Sequence, residues 1–342
     1  MYGWLRRGLF TLPPETAHDV ALNALRLGGR FGAARLIAGC PVAAPVDHLG
    51  LTFPNAVGLA AGLDKNGDFI DALGQLGFGF IEVGTVTPKP QPGNPKPRMF
   101  RLTGHEALIN RLGFNNKGVD HLVERLKARR FAGPVGANIG KQKETPVERA
   151  AEDYRYCLER VHPHCDYITV NISSPNTANL RALQDTGPLR ELLAELTAAR
   201  DALDAEHGVR RPMLVKIAPD WSDEALHPSL EVIADSSIDG LIATNTTLAR
   251  DAVAGSPHAA EAGGLSGAPL LDAANHVLAR ARDVLGPDRT IIGLGGITRA
   301  EDAVAKRAAG ADLVQLYTGF IYHGPALVRA CAQALAETGD DG

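Results

Sequence analysis

Eight times along the chain a short apolar run ends in glycine or a polar residue and gives way to a stretch with helical spacing. That recurrence limits the fold more than any other feature. The runs are Val57–Ala60, Phe80–Val83, Val135–Ala137, Tyr167–Val170, Met213–Ile217, Gly240–Ala243, Thr290–Gly293 and Leu313–Leu316. Unbroken apolar runs of this kind read as parallel strands buried on both faces. Amphipathic stretches such as His121–Arg129, Leu189–Leu203 and Ala300–Ala309 lie between them and would form the crossovers. Eight strand–helix units in 342 residues predict an α/β fold, a closed (β/α)8 TIM barrel rather than an open doubly wound sheet. Leu49–Phe53, a turn at Pro54-Asn55 and Val57 predict a small hairpin closing the barrel floor.

Barrel enzymes work at the C-terminal ends of their strands. In chain order those positions hold Gly62 to Lys65, Gly84-Thr85, Asn138, Asn171 to Asn176, Lys216, Thr244-Asn245-Thr246, Gly295-Gly296 and Tyr317-Thr318-Gly319. Every strand end carries a small, amide, hydroxyl or lysine residue, and none carries an acid pair or a histidine. The runs Gly293-Leu294-Gly295-Gly296-Ile297 and Tyr317-Thr318-Gly319 occupy the usual phosphate pocket of a barrel, where backbone N–H groups approach phosphate oxygens. Gly267 could add a donor from the loop after strand six. A dinucleotide reading of the glycine run fails because the full GxGxxG spacing and the downstream acid are missing.

One phosphate and a planar ring over the mouth describe FMN, whose reduced form is an anion. Lys216, inside the apolar run Leu214-Val215-Lys216-Ile217, and Lys65 are the candidates to stabilise it; for Lys65 an ion pair with Asp64 is the alternative. Asn110, Asn171, Asn176 and Asn245 each offer a donor and an acceptor, the complement of an imide or cyclic-urea edge. Asparagine is a common turn residue, but Asn171 and Asn245 fall directly at strand ends.

A net charge of −4 gives no support for nucleic-acid binding. The four cysteines are scattered without a CxxC pair, which fits reduced cytosolic thiols better than a disulfide framework, a zinc site or an iron–sulfur cluster. His162-Pro163-His164-Cys165 precedes strand four and belongs to the barrel floor, so no metal is expected. His105 and His121 lie outside the strand-end motifs and are expected to face solvent. No apolar run is long enough to span a bilayer, and Pro13, Pro14 and Glu15 cut short any secretory signal.

Residues 1–44 differ from residues 45–342. Arg6, Arg7, Arg26, Arg30 and Arg35 outnumber Glu15 and Asp19, and Ala17, Val20, Ala21, Ala24 and Leu25 recur at helical spacing. Pro13-Pro14 would divide this arm into a short helix and a longer one. Two basic amphipathic helices read as a membrane-surface anchor, with an ordinary packed helical pair as the alternative.

Several motifs together carry a resemblance. They are Ala61-Gly62-Leu63-Asp64-Lys65-Asn66-Gly67, Gly84-Thr85-Val86-Thr87-Pro88, Pro92-Gly93-Asn94-Pro95-Lys96-Pro97-Arg98, Asn110-Arg111-Leu112-Gly113-Phe114-Asn115-Asn116, Asn171-Ile172-Ser173-Ser174-Pro175-Asn176-Thr177 and Ile242-Ala243-Thr244-Asn245-Thr246-Thr247. In this order, over essentially the whole chain, the sequence resembles the dihydroorotate dehydrogenases, specifically the quinone-linked, membrane-associated class. The resemblance implies oxidation of (S)-dihydroorotate to orotate in pyrimidine biosynthesis, with FMN passing electrons to a membrane quinone. It maps the base onto Ser174, which would take the C5 proton while C6 delivers hydride to the flavin. It implies that Lys65, Asn110, Arg111, Leu112, Gly113, Phe114, Asn171, Asn176, Asn245 and Thr246 hold substrate. FMN would be held by Ala61, Gly62, Leu63, Asp64, Lys65, Thr85, Asn138, Asn171, Lys216, Thr244, Gly267, Gly296, Tyr317 and Thr318. The arm would form a tunnel for quinone with His18, Arg101 and Tyr317, at the cytoplasmic face of the inner membrane, and the protein would be a monomer. A serine is a poor base alone, so a water or Thr177 is expected to relay the proton, and flavin reduction should quicken as pH rises. The loop after Ser174, through Asn179, Arg181 and Asp185, is a candidate lid.

Overall fold

Eight parallel strands close into a barrel in a computed structural model that describes residues 2–29 and 33–338. They are β1 (Val57–Leu59), β2 (Phe80–Val86), β3 (Val135–Ile139), β4 (Tyr167–Asn171), β5 (Met213–Ile217), β6 (Gly240–Ala243), β7 (Thr290–Leu294) and β8 (Leu313–Leu316). Each pairs with the next, and β8 returns to β1 with Val314 opposite Val57. All eight coincide with the apolar runs, and every residue of every one is buried. Helices cover the outside, among them Val119–Ala128, Thr186–His207 and Ala300–Ala308 where helices are expected. The ladders of β2, β3 and β4 run further than the apolar runs. Asn138 and Asn171 therefore stand on paired strands, with Asn171 in register with Lys216. A polar group on a strand is held more rigidly than one on a loop.

The floor hairpin exists, but its turn is not at Pro54-Asn55. Val46–His48 pairs with Leu51–Phe53 across a turn at Leu49-Gly50, whose φ angles are 58° and 70°. A two-residue hairpin turn of this type needs positive φ at both positions, which proline cannot adopt. Asn55 instead braces the start of β1: its amide donates to Val42 O and Gly77 O, and its carbonyl accepts from Val57 N–H. Phe53 is fully buried, edge-on to Phe80 with ring centroids 5.1 Å apart, and so plugs the floor. His162 is buried there too, its Nε2 2.7 Å from Asp204.

A three-stranded antiparallel sheet over the mouth was not foreseen. Its strands are Met99–Leu102, Ala107–Asn110 and Gly264–Gly267, with the second in the middle. Phe100, Leu102, Ile109, Val253 and Leu265 form its own small core.

The arm comprises α1 (Tyr2–Phe10), α2 (Pro14–Gly29) and α3 (Ala33–Ala38). Pro14 opens α2, where its fixed φ suits a first helical residue. Ala17 and Leu22 are buried and Ala21 and Leu25 half-buried, but Val20 and Ala24 of the same run face outward, so the inward face is narrower than the spacing implied. Exposed Trp4, Leu5, Val20 and Leu27 line the outer side of α1 and α2. The arm is also tied to the barrel by polar contacts. Tyr2 OH donates to Ile321 O (2.7 Å), Arg6 to Tyr322 O (2.8 Å), and Arg98 pairs with Glu15 (2.9 Å). Arg7 rests over Trp4 and Arg26 over Phe69; Arg30 and the side chain of Arg35 lie outside the described residues. No helix among the described residues is long and apolar enough to cross a membrane. His105 and His121 are half-buried rather than solvent-facing, because His121 is drawn to Asp68 (2.9 Å) behind the loop after β1.

Candidate active site

The strand ends converge on a cavity at the C-terminal mouth. Thr85 of β2, Asn171 of β4, Lys216 of β5, and Thr244 and Asn245 after β6 all line it. The side chains of Thr85, Asn171 and Asn245 form one connected set with those of Asn138 and Ser173. Thr85 Oγ1 donates to Asn138 Oδ1 (2.5 Å), Asn171 Nδ2 donates to Thr85 Oγ1 (2.9 Å), Ser173 Oγ donates to Asn171 Oδ1 (2.9 Å), and Asn245 Nδ2 donates to Ser173 Oγ (2.9 Å). Side chains whose partners are themselves anchored cannot swing away, so the site is held in shape before anything binds.

One wall is the loop that leaves the upper sheet. Asn110, Leu112, Gly113 and Phe114 face the cavity, and Asn176 donates through Nδ2 to Asn110 O at 3.1 Å. Phe114 sits at φ 52°, a conformation that strains a bulky residue by roughly 1–3 kcal/mol. Its carbonyl is gripped by Gln91 (3.1 Å) and Asn116 (2.7 Å), which holds the ring toward the cavity. Ser174 is buried at the edge of the cavity, and its Oγ accepts from Asn176 N–H at 3.2 Å, leaving its own proton uncommitted. Among the described residues no histidine or carboxylate bonds to it. Thr177 is buried nearby without a hydrogen bond to Ser174. Arg181 ties the following loop down, donating to Ser173 O (3.0 Å), Thr246 O (2.9 Å) and Asp220 (2.7 Å).

The opposite wall is backbone. Gly267, Gly295, Gly296, Thr318 and Gly319 face the cavity from the loops after β6, β7 and β8. Gly296 has φ +89°, and a Cβ there would meet Leu271 Cα at 2.3 Å, so only glycine fits. Thr318 Oγ1 donates to Ser266 Oγ (2.8 Å), bracing two of the loops. Peptide groups brought this close, with a helix starting at Thr318, suit a phosphate. Lys216 is only 4 % exposed, and its ammonium makes no hydrogen bond to a described residue. Burial pulls its pKa down, while the charge of Glu82 opposes that shift. A buried ammonium without an acceptor is costly unless a ligand supplies one.

Lys65 lies at the arm side of the cavity with Nζ 2.7 Å from Gly62 O. Burial and, secondarily, Arg98 bring its pKa down to about 8. Asp64 turns the other way, accepting from the N–H groups of Asp68 (3.0 Å) and Phe69 (2.7 Å), so it shapes the loop and forms no ion pair with Lys65. A second cavity lies between the arm and the barrel. His18, Arg101 and Tyr317 line it together with Leu9, Ala17, Leu63 and Phe320, and Tyr317 also lines the first cavity. Burial, and then Lys65, lower the His18 pKa to about 4, so its ring is neutral near pH 7. Arg101 donates to Leu12 O (2.9 Å) and Phe10 O (3.2 Å) and covers the Phe10 ring.

Of the residues singled out from sequence, Ala61, Gly62, Lys65, Thr85, Asn110, Leu112, Gly113, Phe114, Asn171, Ser174, Asn176, Lys216, Thr244, Asn245, Thr246, Gly267, Gly296, Tyr317 and Thr318 line the mouth cavity. Four of those assigned to substrate or FMN stand outside it. Arg111 points away to Glu261 (2.7 Å) and Pro97 O (2.9 Å). Leu63 faces the arm cavity, Asp64 the loop, and Asn138 lies buried behind Thr85. Sequence reasoning missed Gln315, Ser266 and Pro175 in the lining and Glu82 beneath it.

Fold and cavity define the class: a (β/α)8-barrel enzyme whose polar groups gather at the C-terminal mouth. A family model described as dihydroorotate dehydrogenase matches residues 44–338, and the chain belongs to that family of oxidoreductases. It is 54% identical over 336 residues to a dihydroorotate dehydrogenase (quinone) of Azotobacter vinelandii, covering 98% of this chain and 97% of the relative. Identity to the protein of the same name from Xanthomonas campestris pv. campestris is 57%, covering 98% and 96%. Among solved structures, the Eimeria tenella enzyme in complex with ferulenol superimposes with a TM-score of 0.85 at 36% identity, over 96% of this chain and 92% of that one.

Proposed function

We propose that the protein oxidises (S)-dihydroorotate to orotate, with FMN as its prosthetic group and a membrane quinone as electron acceptor. The observation that carries the reading is Lys216: a buried ammonium on β5, open to the cavity, without an acceptor among the described residues. FMN fits the residues present. Its phosphate suits the glycine cradle at Gly267, Gly296 and Thr318, where a Cβ at Gly296 would run into Leu271. Ala61, Gly62, Thr85, Asn171, Lys216, Thr244 and Tyr317 would hold its ring. When bound, the flavin supplies the hydride acceptor.

The chain's own residues do the rest. Asn110, Asn176, Asn245 and Thr246 bind the amide edges and carboxylate of dihydroorotate, and Lys65 balances its charge. Phe114 and Pro175 exclude water from the reacting face. Ser174 takes the C5 proton and passes it outward, through a water or Thr177, under the loop pinned by Arg181. Electrons leave toward the arm cavity past Tyr317. A neutral His18 and apolar Leu9, Ala17 and Phe320 suit an uncharged quinone. The outward Trp4, Leu5, Val20 and Leu27 favour residues 1–44 resting on the cytoplasmic surface of the inner membrane, with residues 45–342 as the catalytic unit.

Two measurements check this. Heat-released cofactor should have the mass of FMN, one per chain. Orotate formation should proceed with a soluble ubiquinone analogue and not with fumarate or NAD; equal rates with fumarate would remove the quinone assignment. Lys65 adds a pH dependence. Its charged form favours an anionic ligand and prevails below its pKa of about 8. The orotate dissociation constant should be flat well below that pH and climb above it toward about tenfold per unit. A flat profile through pH 9, taken by titrating the oxidised flavin spectrum, would remove Lys65 from substrate binding.

A further inference from the structure

Asp220 stands in the loop after β5, in Pro219-Asp220-Trp221, and the proposed chemistry makes no use of it. Its carboxylate nonetheless gathers groups from the loops after β4 and β6. Arg181 Nη1 donates to Oδ2 at 2.7 Å, the N–H of Leu248 lies 3.1 Å from Oδ2 and 3.2 Å from Oδ1, and the Thr247 hydroxyl donates to Oδ1. Thr247 is itself fixed, since its backbone pairs in both directions with Leu265 of the upper sheet (2.8 and 3.0 Å). Arg181 turns the rest of its fork to two carbonyls, Nε to Ser173 O (3.0 Å) and Nη2 to Thr246 O (2.9 Å). A planar guanidinium bonded through all three nitrogens cannot rotate without breaking one of these contacts. Both side chains are partly open to solvent (21 and 24 % exposed), so as an ion pair they add little to stability, and it is their geometry that sets them apart.

We propose that Asp220 is a positioning residue for proton abstraction: through Arg181 it locks the loop that carries Ser174 against the loop that carries Asn245 and Thr246, and so fixes the base relative to the substrate. The inference rests on the reading of Ser174 as the base. The Ser173 carbonyl belongs to the planar peptide unit that leads into Ser174, so its bond to Arg181 sets the plane from which Ser174 departs. The Thr246 carbonyl lies in the loop assigned to substrate. One guanidinium therefore spans the base side and the substrate side of the cavity, and Asp220 holds its remaining nitrogen. The far end of the Ser174 loop is tied separately, where Gln184 Oε1 accepts from Ala218 N–H at 2.8 Å. With that end held, the stretch from Ser174 to Arg181 is the part that shifts when the clasp is released. A displacement of about 1 Å at a reacting group can slow a reaction about 10²-fold. Asparagine at position 220 would still accept from Thr247 and Leu248 through Oδ1, but its amide nitrogen would confront Arg181 with a second donor.

The test measures flavin reduction by saturating dihydroorotate in the holoenzyme, without oxygen, as a double-mutant cycle. Asp220→Asn alone should slow reduction at least about tenfold. Added to Ser174→Ala, it should slow reduction by less than about twofold further, because no base remains to be misplaced. Reoxidation of the reduced flavin by a soluble quinone should stay within about twofold, since electrons leave on the arm side. Amide hydrogens in residues 172–182 should exchange faster in Asp220→Asn, a readout independent of turnover. A merely structural role predicts losses that multiply across the cycle and slow both half-reactions. Multiplied losses, slowed reoxidation, undiminished reduction or unchanged exchange in the single variant each overturns the proposal. If Ser174→Ala by itself reduces the flavin at the full rate, the reading of the base fails and this inference falls with it. Should Asp220→Asn not retain flavin, Arg181→Lys enters the same cycle with the same expectations, because it keeps a charge for Asp220 but cannot reach both carbonyls at once.

Discussion

Ser174→Ala should slow reduction of the bound flavin by dihydroorotate by about 10²–10⁴-fold, the usual worth of a positioned general base. Orotate should still bind nearly as well, because the asparagines and Lys65 that hold it are untouched. Stopped-flow mixing without oxygen separates the two quantities. The serine is set for proton transfer by its surroundings: Oγ already accepts from Asn176 N–H, and Arg181 holds the adjoining Ser173 carbonyl in place. A hydroxyl must shed its proton as it acts, so reduction by the unmodified enzyme should quicken with rising pH while orotate affinity declines above about pH 8. These opposed trends come from different residues. A rate of reduction that ignores pH from neutral to alkaline conditions would remove Ser174 as the base.

Lys216→Met keeps the length and apolar stem of the side chain and deletes its charge. The reduced flavin, an anion, then loses a buried cation in a site with little water, where such a charge contributes far more than at the surface. The expected result is a lower flavin reduction potential and a loss of about 10²–10³-fold in the rate of reduction. Equilibration with a reference dye measures the potential directly. An unchanged potential would mean that the ammonium serves the fold alone, against which stands the lack of a hydrogen-bond partner among the described residues.

The barrel was legible because its strands are buried on both faces. Unbroken runs such as Tyr167–Val170 and Thr290–Gly293 have few other uses in a soluble chain. Lys216 was legible as an interruption in such a run. Glu82 interrupts its run in the same manner between Ile81 and Val83, but its donors come from three other strands, and no local pattern announces them. The upper sheet was hidden for a related reason. Gly264–Gly267 pairs with Ala107–Asn110 across about 150 residues, and glycine-rich GGLSG reads as a loop. Pro54-Asn55 is a stronger generic turn signal than Leu49-Gly50, yet the backbone needed positive φ twice. Arg111 shares a motif with Asn110 and Leu112, but alternation along and just beyond the strand sends its guanidinium to the outer side, toward Glu261. In the arm, helical spacing marked an apolar helix without showing that Val20 and Ala24 would face outward.

The most direct measurement is the visible spectrum of the purified protein without oxygen, before and after one equivalent of dihydroorotate. The account predicts a yellow protein that bleaches on mixing and regains its colour when a soluble quinone is added. A yellow protein that dihydroorotate leaves unbleached would contradict the proposed substrate, and a colourless protein that takes up no added FMN would contradict the flavin site itself.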